Sequence, residues 1–172
     1  MRGLRRLGRL LLGLPRGLAL VLPFLWGGLI WLGSEFSGEV DGPKLPGMHF
    51  LGNGVHAFEF GVLALLCLPQ LPRRTDPDGL WVRLGAAQWA FVLLPVGAYG
   101  ACDEWHQLHV PGRASSLFDV LTDLVGAICV LAVAQRAGSP DASDPSLRRL
   151  LLGCLVACAA AAGLSTWHDL GA

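Results

Sequence analysis

Five apolar stretches, each close to the length of a bilayer crossing, constrain this chain more than any other feature. A helix needs about 20 predominantly apolar residues, within a range of about 17 to 25, to cross the hydrocarbon. The stretches run over residues 17–33, 54–71, 84–102, 117–135 and 149–167. The first carries Pro23, a natural kink point, and the fifth is rich in alanine. They predict an all-α fold, a polytopic transmembrane bundle of about five helices. Composition removes the alternatives. Apolar residues make up 53% of the 172 and charged residues 15%, against about 25% charged in a soluble domain. Disorder is excluded on the same grounds. Thirteen basic residues balance thirteen acidic ones, so the chain has no electrostatic footprint for nucleic acid. Cys67, Cys129, Cys154 and Cys158 lie inside apolar runs without a CxxC spacing, which argues against a disulfide scaffold.

Orientation follows from the basic residues. The N-terminal run MRGLRRLGRLLLGLPRG looks like the basic region of a signal peptide, but no small-residue cleavage pattern follows. It reads as a signal anchor retained as the first span. With a cytoplasmic N-terminus, only Lys44 and Arg113 of the 13 Lys and Arg fall on the outer side, a strong positive-inside bias. The outer loops are then residues 34–53 and 103–116, and the inner loops are short polar connectors rich in turn residues. Three regions follow: a basic N-terminus with the first helix (1–33), a core of three helices (34–137), and a cytoplasmic loop with the last helix (138–172). The localisation expected is a cell membrane, multi-pass, in contact with membrane lipids.

Ionisable residues inside a membrane cost about 2.5 to 3.5 kcal/mol each at mid-bilayer and face the bundle interior, so they mark a site. They fall in two segments, both on the outer side by this topology. The second span opens with His56 and Glu59, three residues apart and so on one helix face. Between the third and fourth spans lies the longest polar interruption, from Tyr99 through Glu104, His106, Gln107, His109, the Pro111-Gly112 turn and Arg113 to Asp119 and Asp123. Asp119, Asp123 and Gly126 share a face of the fourth helix. These segments are expected to converge below the outer headgroups.

The two segments together resemble the VanZ-like family. His56 and Phe60 match its first motif. Tyr99, Gly100, Glu104, Gln107, Pro111, Gly112, Arg113, Asp119 and Gly126 match its second. The likeness covers about residues 53–135. Three positions depart from the pattern: Asn53 stands where the family has Lys, Phe60 where it has Tyr, and Asp123 where it has Asn. The resemblance implies the helical fold, the membrane location and a role related to glycopeptide resistance.

The candidate catalytic residues are Glu104, His56 and Asp123. The candidate substrate-binding residues are Arg113, Gln107, Glu59, Asp119 and His106. Arg113 suits bidentate contact with a phosphate or carboxylate, or pairing with Glu104 or Asp119. Ser116-x-x-Asp119 has the spacing of a capping box at the start of the fourth helix, whereas Asp123 lies a turn deeper, where no cap needs it. His56 and Glu59 suit an acid–base pair or an interhelical hydrogen bond. Glu104, His106 and His109 invite a metal, but neither HExxH nor a closed Cys/His set is present, and no metal or cofactor is expected. Trp26, Trp31, Trp81, Trp105 and Trp167 fit aromatic belts. Serine catalysis lacks a Gly-x-Ser-x-Gly context. Three functions remain open: an envelope protein whose outward polar pocket engages a cell-wall or lipid-linked anionic substrate, a membrane hydrolase or transferase acting on a lipid phosphate, and a polar cluster that only packs helices.

Overall fold

The computed structural model describes residues 2–35, 47–71, 84–111, 113, 115–139 and 142–171. They form six α-helices: α1 (Arg2–Leu12), α2 (Arg16–Glu35), α3 (Met48–Cys67), α4 (Ala86–Gln107), α5 (Leu117–Gly138) and α6 (Asp144–Gly171). A 3-10 turn, Leu68–Gln70, extends α3, and the described residues include no strand. Lys44, Arg73, Arg74, Trp81, Arg83 and Gly112, which enter the orientation count, the aromatic belts and the Pro-Gly-Arg turn, lie outside the described residues.

Four helical segments are long and apolar enough to cross a membrane: Arg16–Glu35, His49–Gln70, Leu117–Gly138 and Asp144–His168. The chain is therefore a multi-pass membrane protein. The remaining expected span corresponds to α4, whose 22 residues reach about 33 Å at 1.5 Å per residue. Gln88, Pro95, Tyr99 and the polar residues of its last two turns dilute its hydropathy. The sixth helix is α1. Its leucines, Leu4, Leu7 and Leu11, recur at helical spacing against Arg2, Arg6 and Arg9, the pattern of a helix lying along an apolar surface. Leu4 and Leu7 line an apolar cavity of about 440 Å³ with Phe58, Val133, Leu151 and Leu155 of α3, α5 and α6.

Packing centres on α3 against α5, with α6 laid over both and with α2 and α4 on the other side. Lipid tails are as apolar as leucine, so close backbone approach of small residues drives such contacts. Here Gly126 of α5 meets Ala57 of α3: a Cβ at Gly126 would lie 2.0 Å from the Ala57 carbonyl oxygen. Below this contact the core is apolar, with Phe60, Ala64, Val92, Val96, Ala127 and Leu131 buried together. Pro23 and Pro95 lie inside continuous helices.

The helices are longer than the apolar stretches that announce them. α3 starts at Met48, after Gly47 at φ 88°, so the irregular outer loop expected over 34–53 is shortened from both sides by α2 and α3. α4 continues to Gln107, which puts Asp103, Glu104, Trp105, His106 and Gln107 on helix instead of in the outer loop expected over 103–116. At α4 the physical reason is that Asp103, Glu104 and Gln107 are buried against other helices, so they do not interrupt the helical hydrogen-bond ladder. The C-terminal ends of α2, α4 and α6 and the N-terminal ends of α3 and α5 thereby gather at one end of the bundle, joined by Ser34–Asp103, Ser116–Glu104 and Asn53–Ser165 hydrogen bonds. Trp105 and Trp167 are exposed at that end.

Candidate functional site

The gathered end is polar inside. His56, Asp103, Glu104 and Asp123 are only 8%, 1%, 4% and 1% exposed, and Gln107, Ser116, Asp119, Thr122, Ser34 and Ser165 are buried with them. Five helices contribute, which no short segment of sequence reveals.

Each member is held by identifiable partners. On α5, Ser116 is the N-cap: its Oγ accepts from the Phe118 amide at 3.1 Å. The Ser116 amide, which a capping box would give to Asp119, instead donates to Glu104 Oε2 at 2.9 Å. Ser115 Oγ adds a bond to the Glu104 carbonyl at 2.8 Å. The last turn of α4 and the first turn of α5 are thus clamped through Glu104. On the α2 side, Asp103 accepts from Ser34 Oγ at 2.7 Å and from Gln107 Nε2 at 2.8 Å. On the α6 side, Asn53 Nδ2 donates to Ser165 Oγ at 2.9 Å and to Thr166 Oγ1 at 3.2 Å, while Ser165 Oγ donates to Asp119. Asn53, at the position where the resemblance expects a cation, therefore begins a neutral relay to a carboxylate.

His56 and Asp123 meet in the middle. Their Nδ1 and Oδ1 atoms are 3.3 Å apart, close enough to pair electrostatically but outside hydrogen-bond geometry. Buried His56 Nδ1, Glu104 Oε1 and both oxygens of Asp123 have no hydrogen-bond partner among the described residues. Buried polar atoms are normally satisfied, so uncommitted groups from three helices in one place mark a site that can engage something else. Asp123 sits tightly, since a Cβ at Gly100 would lie 2.6 Å from its Oδ2.

Of the sequence candidates, His56, Glu104, Asp123, Asp119 and Gln107 come together. Arg113 lies at the edge, half-buried, with Nε donating to the Ser34 carbonyl at 3.4 Å, and not paired within 4 Å with Glu104 or Asp119 among the described interactions. Glu59 is half-buried beside the centre, within electrostatic reach of His56 and Arg113, and its backbone carbonyl accepts from Trp26 Nε1 at 2.9 Å. His56 thus has Asp123, not Glu59, as its close carboxylate. His106 sits on the α2 side of α4: Nε2 is 2.8 Å from Glu35 Oε1 and the ring stacks on Trp31 at 3.9 Å. His109 turns back to the Trp105 carbonyl at 2.9 Å.

Sequence reasoning passed over Asp103, Ser34 and Ser165. Asp103 and Gln107 are four apart, a helical signal hidden by reading the segment as a loop. Ser34 and Ser165 are lone hydroxyls at the ends of apolar runs.

A model of the VanZ/LLP1 family matches residues 5–137. The chain belongs to that family. Comparison with curated proteins and with solved structures gave no match. The VanZ/LLP1 match runs from within α1 to the last turn of α5 and so covers every centre residue except Ser165, which α6 supplies from outside it.

Proposed function

We propose that this VanZ/LLP1-family protein engages the anionic head of a cell-envelope or lipid-linked substrate, such as a cell-wall precursor, in its buried polar centre, on the extracytoplasmic side of the cell membrane. The observation that carries the reading is the set of uncommitted buried atoms on His56, Glu104 and Asp123. Groups of this kind inside a membrane are expensive and are retained for function. In this reading Arg113, at the edge, takes the phosphate or carboxylate in its planar fork. Gln107 and Asp119 shape the surroundings, with Glu59 and His106 toward the rim. Glu104 or Asp123 orients or deprotonates, and His56 exchanges the proton. The sidedness is supported by the arginines: Arg16, Arg136, Arg148 and Arg149 lie at the helix ends opposite the polar centre. A role in glycopeptide resistance fits a protein that handles an envelope precursor at that surface.

A second reading is a hydrolase or transferase acting on a lipid phosphate. The His56–Asp123 approach and the free Glu104 oxygen favour it, because proton transfer needs such groups within reach of one another. Purified protein assayed with polyprenyl phosphates and lipid-linked wall precursors separates the two. Turnover that vanishes in Glu104→Gln and Arg113→Ala, with folding intact, makes it an enzyme. Binding without turnover, weakened in Arg113→Ala, makes it a binding or transport module. Neither binding nor turnover leaves only helix packing.

A further inference from the structure

The polar centre has a charge problem. Asp103, Glu104, Asp119 and Asp123 are four buried carboxyl groups around one imidazole, and taking ions out of water without compensation costs several kcal/mol each. An anionic headgroup arriving there would add to the excess. Arg113 offers one guanidinium at the edge, where its Nε bonds a carbonyl.

Three of the groups are arranged to receive a cation. His56, Asp103 and Glu104 each present one donor atom, and these atoms lie within 4.8 Å of one another. Tetrahedral ligand atoms around one ion with bonds of about 2.1 Å lie about 3.4 Å apart. The widest pair therefore has to draw in by at most about 1.4 Å to close the set. Outer partners that orient metal ligands are already in place. Asp103 is fixed by Ser34 and Gln107, at 2.7 and 2.8 Å. Glu104 Oε2 is fixed by the Ser116 amide while Oε1 is uncommitted. His56 has the Asp123 carboxylate beside its ring.

From this we propose that His56, Asp103 and Glu104 form a site for a divalent cation of the Zn²⁺ or Mn²⁺ type, with coordination positions left for water or a phosphate oxygen. One imidazole nitrogen and two carboxylate oxygens suit these ions better than Mg²⁺ or Ca²⁺, which favour all-oxygen sets. The inference rests on the reading of the centre as a headgroup site and deepens it: the ion offsets the carboxylates and lets an acidic pocket hold an anion. It differs from the set Glu104, His106 and His109, because His106 turns to Glu35 and His109 to the Trp105 carbonyl.

Full-length protein in detergent, stripped with chelator and reloaded, tests it by metal analysis. The wild type is expected to retain about one equivalent of Zn²⁺ or Mn²⁺ per chain, with Mg²⁺ and Ca²⁺ failing to compete. Asp103→Asn and Glu104→Gln should weaken retention at least about tenfold, while Glu35→Gln, at the other histidine–carboxylate pair, leaves it unchanged. X-ray absorption on the zinc-loaded wild type needs no variant: nitrogen and oxygen neighbours at about 2.0–2.2 Å are expected. A sulfur shell, retention below a tenth of an equivalent, or loss in Glu35→Gln instead of Glu104→Gln would overturn the site. Polyprenyl phosphate binding, measured in parallel with and without chelator, separates the two claims. Lipid binding by stripped protein overturns the ion's part in holding the headgroup and keeps the headgroup reading. Metal retention without lipid binding does the reverse.

Discussion

Gly126 and Asp123 lie one helical turn apart on α5 and explain each other. The backbone contact of Gly126 with Ala57 draws α5 onto α3, and that closeness brings the Asp123 carboxylate to 3.3 Å from His56. Gly126→Ala is expected to force the helices apart, lowering stability by at least about 1 to 3 kcal/mol in thermal or denaturant unfolding in detergent. An unchanged midpoint would mean that the contact is not tight. At this scale the sequence was informative where an ionisable group interrupts an apolar run. His56, Glu104, Asp119 and Asp123 stand out because nothing about bilayer crossing calls for them. Asp103 did not stand out, since its meaning depends on which way α4 turns, and Ser165 contributes through a hydroxyl that carries no such penalty.

At the scale of elements, the five apolar stretches all became helices, but most of their ends ran further than hydropathy indicates. Hydropathy reports the lipid-facing majority of a span. It falls silent where an inward helix face turns polar, as over Asp103–Gln107, or where α3 begins at Met48. The join between α4 and α5 shows what the extra length does. Ser116 caps α5 with its side chain and ties down Glu104 with its amide. Ser116→Ala is expected to cost about 1 kcal/mol in unfolding while leaving the amide bond to Glu104, so metal and lipid binding should fall less than in Glu104→Gln. Equal losses in both would place the Ser116 hydroxyl, and not the carboxylate, at the heart of the site.

The whole molecule gathers its buried polar residues at one end, while among the described residues Arg16, Arg136, Arg148 and Arg149 lie toward the other. Four apolar spans are plain in the structure, and the membrane class was already legible from the length and spacing of the apolar runs. The convergence of five helices on one centre was not, because it depends on which faces meet. The orientation expectation is open to labelling in a cysteine-free background. Leu108→Cys should react with a membrane-impermeant maleimide on intact cells, and Ser139→Cys only after lysis; the opposite pattern would put the polar end in the cytoplasm.

Whether the centre acts on a ligand or merely packs helices is decided most directly by thermal unfolding with and without a polyprenyl phosphate. The wild-type midpoint should rise with ligand concentration, as linkage requires of anything that binds the folded state. Folded Glu104→Gln and Arg113→Ala should show little or no rise. No rise in the wild type under any metal condition, with each centre substitution lowering the midpoint by a similar amount, would contradict the account and reduce the cluster to a structural one.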